Sequence, residues 1–248
     1  MTPTLSTQAL VLHTTEYSET SVIAKIFTRQ LGVRSYIIKG VRRGGSRTKQ
    51  NLLQPLTHLD MVVYNNPKTS LNYIKEMGPH LAVDNYPDLM HFTPREVYNA
   101  LCFFMTEVLY KTLREEEPMP ALFDYVVEAL DAASLACESH DPCHLPITFL
   151  LTVARHLGIE PLDNYSLREP LFDLREGHYC FYSEMSLNTS SSQLLHYYLQ
   201  ALHADEPFPL ATLSQRTDLI NHLLDYFQLH LSEFRNFKSH EILHTILH

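Results

Sequence analysis

The side chains able to do chemistry in this 248-residue chain include 15 histidines, four cysteines and 28 carboxylates. Two groups of them stand at suggestive spacings. His240-Glu241-Ile242-Leu243-His244 spells H-E-x-x-H. On a helix, imidazoles four residues apart share a face and can hold zinc, with the glutamate between them as general base. Only four residues follow, so a third ligand would have to be His248, one turn on. Cys137, His140, Cys143 and His144 form the second group, around Pro142, with no matching knuckle elsewhere. Loop or core packing accounts for these cysteines more simply than a metal does. No convincing nucleophile–base pair stands out, and Cys102 lies in an apolar helical stripe where it reads as core. G-x-G-x-x-G, G-x-x-x-x-G-K-[ST] and G-x-S-x-G are all missing from a chain with seven glycines. That counts against phosphate loops and the nucleophile elbow.

Charge is the stronger signal. The whole chain carries 19 basic and 28 acidic side chains, a net of −9. Residues 1–80 hold 10 basic against 4 acidic, whereas residues 81–248 hold 9 against 24. From Thr20 to Leu59 there is no Asp or Glu, and eight cations: Lys25, Arg29, Arg34, Lys39, Arg42, Arg43, Arg47 and Lys49. Such a field attracts polyanions, because neutralised phosphates release their condensed counterions. The bland alternative is a solvated basic face. Lys39, Arg42, Arg43, Arg47 and Lys49 sit in or beside glycine- and serine-containing sequence with little apolar surface to pack on. That predicts solvent-facing phosphate contacts, which position a strand without reading its sequence. Phe27 and Tyr36 interleave with Lys25, Arg29 and Arg34. They are candidates for base stacking, with core packing as the competing reading.

The elements that would carry these residues fall into two halves. Alternating or β-branched runs predict strands over 8–14, 20–28, 33–39, 56–64 and 69–78. A basic glycine-containing loop covers 40–46. Five short strands in about 70 residues suggest a small closed barrel, and the pattern alone fits an OB barrel or an SH3-like one. Beyond residue 80 the period is helical. Thr93-Pro94-Arg95-Glu96 reads as an N-cap and first turn, opening a helix to Glu116. Further helices are predicted at 120–137, 144–157 (ending at Gly158), 191–204, 211–231 and 239–247. A hairpin is predicted in LFDLREGHYCFY (171–182).

Several stretches give the chain a family likeness: A-L-V-L-x-T (9–14), F-T-R-x-x-G (27–32), K-G-x-R-R (39–43) followed by Ser46-Arg47, and L-Q-P-L-T (53–57). In this order and spacing the first 80 residues resemble the N-terminal domain of the RecO family of bacterial DNA repair and recombination mediators. LLTVARHLGIEPLDNY (150–165) resembles a segment of that family's helical half. The resemblance implies an OB fold, binding of single- and double-stranded DNA, annealing of complementary strands, and work with RecR and single-strand-binding protein in loading RecA. It implies no chemical step. It also implies an apolar pocket on the helical domain for the acidic C-terminal tail of single-strand-binding protein. Such a pocket needs a Lys or Arg, drawn from Arg95, Lys111, Arg114, Arg155, Arg168, Arg175, Arg216, Arg235 and Lys238; Arg155 lies in the matching segment, but no motif singles it out. Many RecO proteins carry a four-cysteine zinc module after the Leu-Gly-x-x-Pro stretch. Here residues 160–185 hold only Cys180, and one thiolate cannot build a four-thiolate cage.

The sequence thus predicts an α+β multi-domain protein: a five-stranded OB-fold β-barrel over 1–80, then an all-α helical domain over 81–248. Its reading is a non-enzymatic, cofactor-free DNA-binding mediator. Without a basic n-region or a long apolar run, and with four scattered cysteines, it is placed in the cytoplasm, at the nucleoid during repair. Two other classes compete: a zinc-dependent hydrolase using His240, Glu241 and His244, and a protein adaptor without DNA affinity.

Overall fold

A computed structural model describes residues 3–41, 47–65, 71–80, 95–134, 143–204 and 206–246. Five strands form a closed barrel: β1 (Thr4–Glu16), β2 (Val22–Thr28), β3 (Gly32–Ile38), β4 (His58–Tyr64) and β5 (Leu71–Pro79). Their order around the barrel is β1-β2-β3-β5-β4, and β4 returns to β1. All pairs are antiparallel except β3 with β5. This is the OB arrangement rather than the SH3-like one. β1 starts four residues earlier than its apolar pattern predicts, because the mostly polar Thr4–Thr7 still finds ladder partners in Tyr64–Met61. Alternate residues point inward. Ala9 and Val11 of β1, Val22, Ala24 and Ile26 of β2, and Leu59, Met61 and Val63 of β4 share one buried cluster. A short helix, α1 (Arg47–Asn51), precedes β4, and Leu53 after it joins that cluster.

Helix α2 (Arg95–Thr112) stops four residues short of the Glu116 that its period predicts. The chain instead leaves the helix to lie along the start of β3. Glu115 bridges Val33 in parallel, and the Glu116 N–H donates to the Val33 carbonyl at 2.9 Å. This strap then enters α3 (Pro120–Ser134). By compactness, 106–131 group with 1–91, and 92–105 group with 132–248. The proposed N-cap at Thr93 lies outside the described residues.

The second unit holds α4 (Leu145–His156), the hairpin β6 (Leu171–Asp173) and β7 (His178–Cys180), α5 (Thr189–Ala204), α6 (Leu213–His230) and α7 (Ser239–Ile246). α4 ends in a Schellman arrangement. The Gly158 N–H donates to the Arg155 carbonyl and the Ile159 N–H to the Ala154 carbonyl, with Gly158 at φ +74°, a conformation glycine adopts without a Cβ penalty. α6 opens with a capping box between Thr212 and Gln215. Hydrogen bonds and ring contacts tie down the hairpin region. Asn164 exchanges two hydrogen bonds with the Tyr179 backbone at 2.7 and 2.9 Å. Asp163 meets His196 at 2.6 Å, and Tyr165 stacks on that imidazole.

Candidate nucleic-acid interface

The eight cations of the acid-free stretch do not form one open field. Three meet carboxylates that the sequence places in the acidic half. Lys25 pairs with Glu115 at 3.4 Å and also lies over the Tyr110 ring. Arg34 faces Glu116 at 3.8 Å, with its side chain only 11% exposed, and it donates to the Asn65 carboxamide oxygen. Arg29 makes a two-pronged pair with Asp124, at 2.7 and 2.8 Å. That hydrogen bond holds the Asp124 carboxyl below the usual carboxylate range and raises the guanidinium. The strap and α3 therefore neutralise all three, Lys25 and Arg29 on the outer face of β2 and Arg34 on the opposite face of β3. A short sequence run such as Glu115-Glu116-Glu117 reads as a solvated helix end, and nothing local marks it as a cover for β3.

Base stacking by Phe27 and Tyr36 is corrected by burial. Both rings are 0% exposed. Phe27 points outward from β2 but lies under α3, edge-on to Phe123 with centroids 5.4 Å apart. Tyr36 points inward and belongs to the barrel core, where burial pushes its hydroxyl up to about 12. Among the described residues that hydroxyl has no hydrogen-bond partner, and neither does the side chain of Asn72, its cross-strand neighbour on β5. An unsatisfied buried hydroxyl costs about 1–3 kcal/mol. Tyr36→Phe is therefore expected to leave the barrel as stable as before or more so, and urea denaturation reads this directly. A loss of stability would show that the hydroxyl has a partner.

The other cations lie at the end of β3 and beyond. Lys39 and Lys49 are exposed, and neither forms an ion pair among the described residues. The Lys49 ammonium donates to the Lys39 carbonyl at 3.3 Å, which brings α1 back onto the end of β3. Arg42 and Arg43 lie outside the described residues. Arg47 starts α1, and its side chain lies outside them too. Two neighbours of this cluster escape a reading based on charge runs alone. Tyr73 on β5 is 49% exposed, with the Lys39 ammonium 5.8 Å from its ring centre. Lys75 follows it and pairs with Glu76 at 3.4 Å. Their signal was the parallel register of β3 with β5, which no local pattern reveals.

Comparison with known proteins agrees with this architecture. Residues 1–80 match the family model for the N-terminal part of recombination protein O, and residues 97–166 match the model for its C-terminal part. A DNA repair protein RecO from Phocaeicola vulgatus is 30% identical, over 96% of both chains. Another from Christiangramia forsetii is 28% identical over 98% of both. The chain belongs to the RecO family. Membership places it in DNA repair and recombination.

Both metal readings involve side chains outside the described residues. Cys180 contacts the Ser186 hydroxyl at 3.5 Å, and among the described residues no three His, Cys, Asp or Glu side chains group to hold a metal. With Cys180 the one cysteine of 160–185, the residues present do not fit a four-thiolate cage. Of the second group, Cys137 and His140 lie outside the described residues, and the His144 Nδ1 meets the Tyr198 hydroxyl at 2.6 Å. His240 and Glu241 open α7, and the side chain of His244 lies outside the described residues. The first two line a cavity of about 280 Å³ together with Arg216, Leu213, Ile220 and Leu243. Among the described residues no helix is long and apolar enough to cross a membrane.

Proposed function

We propose that this RecO-family protein is a non-enzymatic recombination mediator that binds single- and double-stranded DNA and promotes their annealing. In this reading it works in the cytoplasm at the nucleoid, with RecR, to load RecA on DNA coated by single-strand-binding protein. The observation that carries the DNA reading is the open cationic end of β3. Lys39 and Lys49 are brought together there, with no carboxylate paired to them among the described residues, in sequence contiguous with Arg42, Arg43 and Arg47. Cations at the end of an OB barrel capture phosphates without reading bases. Held on one surface, two strands no longer repel each other at full strength and can pair. The cavity beside Arg216 supports the partner half of the reading. Leu213, Ile220, Leu243 and the Arg216 guanidinium suit a peptide tail ending in a carboxylate, whereas Glu241 in the same wall repels further acidic residues.

A salt titration of fluorescent single-stranded DNA tests the proposal. Removing one cation that neutralises a phosphate flattens the log–log salt slope by about 0.7 for a single strand. Arg42→Glu with Arg43→Glu is expected to flatten the slope by about 1.4 on that basis, and to weaken binding and annealing with the unfolding midpoint unchanged. No DNA affinity at low salt in the unaltered protein would leave a protein adaptor as the reading. Unchanged binding by the double variant would move the site away from this loop.

A further inference from the structure

We propose that Tyr73 is the base-stacking ring of this barrel and gives it preference for single strands over duplex. The inference rests on the DNA-binding reading above and assigns the aromatic role that Phe27 and Tyr36 cannot fill. Ile23 on β2 is opposite Ile37 on β3, and Ile37 is opposite Tyr73 on β5. The neighbours of this row along each strand, Val22, Ala24, Tyr36 and Ile38, fill the barrel core, so the row itself faces outward. Ile23 and Ile37 are half-buried and Tyr73 is exposed. The outer wall thus carries an apolar shelf that ends in a ring. Lys39 lies over that ring, and Lys49 is fastened to the Lys39 backbone.

This combination has one chemical match. An aromatic face beside ammonium groups accepts a flat, apolar-faced group attached to an anionic chain, which is a nucleotide in a single strand. Lys39 and Lys49 take the phosphates, and the base lies on Tyr73 with the isoleucines beneath its sugar. A duplex has its bases stacked on one another, so it offers this ring nothing. It can engage only the lysines. Stacking therefore adds affinity for single strands alone.

The chain contains no tryptophan, so Tyr73→Trp introduces one emitter that can be excited without interference from the other residues. In the full-length protein its fluorescence should be quenched on adding oligo-dT and unaffected by a hairpin duplex at equal phosphate. Tyr73→Ala should weaken oligo-dT binding about tenfold, within the range expected for a single base stack. The hairpin affinity and the salt slope should stay at their original values. Tyr73→Phe should restore the single-strand affinity, since the ring and not the hydroxyl makes the contact. The loop variant Arg42→Glu with Arg43→Glu should instead flatten the salt slope for both DNAs. Two results overturn the assignment: oligo-dT binding by Tyr73→Ala at the original strength, or an indole whose emission ignores bound oligo-dT. Both can occur while the loop variant still loses affinity, which would leave the phosphate site standing and remove Tyr73 from it. If the unaltered protein binds neither DNA at low salt, the DNA-binding reading and this inference fail together.

Discussion

Gly32→Ala is expected to destabilise the barrel far more than the same change at Gly40. Both glycines have positive φ, +66° and +73°, so each substitution carries the left-handed penalty of about 1–2 kcal/mol. Their surroundings differ. A Cβ at Gly32 would stand 2.4 Å from the Glu117 carbonyl oxygen and 2.8 Å from its nitrogen, whereas at Gly40 the nearest atom is the Lys49 ammonium, the far end of a flexible side chain, at 3.9 Å. The strap backbone must give way in the first case, and overpacking of that kind adds about 1–3 kcal/mol. Gly32→Ala should therefore cost about 2–5 kcal/mol and Gly40→Ala only the conformational part. The difference between their urea midpoints measures how closely the strap rides on β3. Equal losses would mean that Glu117 does not lie where the structure puts it.

The barrel was largely legible because its physics is local. Period-two alternation marks which side of a strand meets the core, and five such runs fix the number of strands. The strand pattern alone did not choose between OB and SH3-like barrels, and the OB expectation came from the family resemblance. The choice depends on β3 running parallel to β5, a pairing between residues 35–37 and 71–73 that neither segment records. The same long-range register hid Tyr73. Its sequence neighbours Asn72 and Ile74 say only that it sits on a strand, and its place beside Lys39 comes from the closing of the barrel.

The cations are legible in composition, but the carboxylates that three of them meet are not. Lys25, Arg29 and Arg34 stand 90, 95 and 82 residues before Glu115, Asp124 and Glu116. A run without acids is a statement about one segment, whereas an electrostatic field sums over space. In the helical half, apolar period and glycine placement set the elements to within a few residues. The exception is the end of α2. Leu113 stays buried while the chain from Glu115 on gives up its helical bonds for contacts with Val33, a tertiary gain that outweighs helix propensity.

Phe27 separates a core ring from a DNA-facing one most sharply. It sits in the middle of the acid-free stretch, flanked by Lys25 and Arg29, and by spacing it shares their outward face. Its side chain nonetheless exposes nothing, because Phe123 from α3 covers it edge-on and also meets His58. Phe27→Ala removes a buried ring from a site that cannot collapse around a barrel wall, which is expected to cost about 3–5 kcal/mol. Phe123→Ala should show a similar loss. The pair should couple by about 0.5–1.5 kcal/mol in a double-mutant cycle, the increment of an edge-to-face contact beyond area burial. At temperatures where the variant remains folded, its affinity for single-stranded DNA should match that of the unaltered protein. A Phe27→Ala protein with an unchanged unfolding midpoint and no DNA affinity would show the reverse. α3 would then not cover β2, and the Arg29–Asp124 pair that depends on the same packing would be open to phosphate.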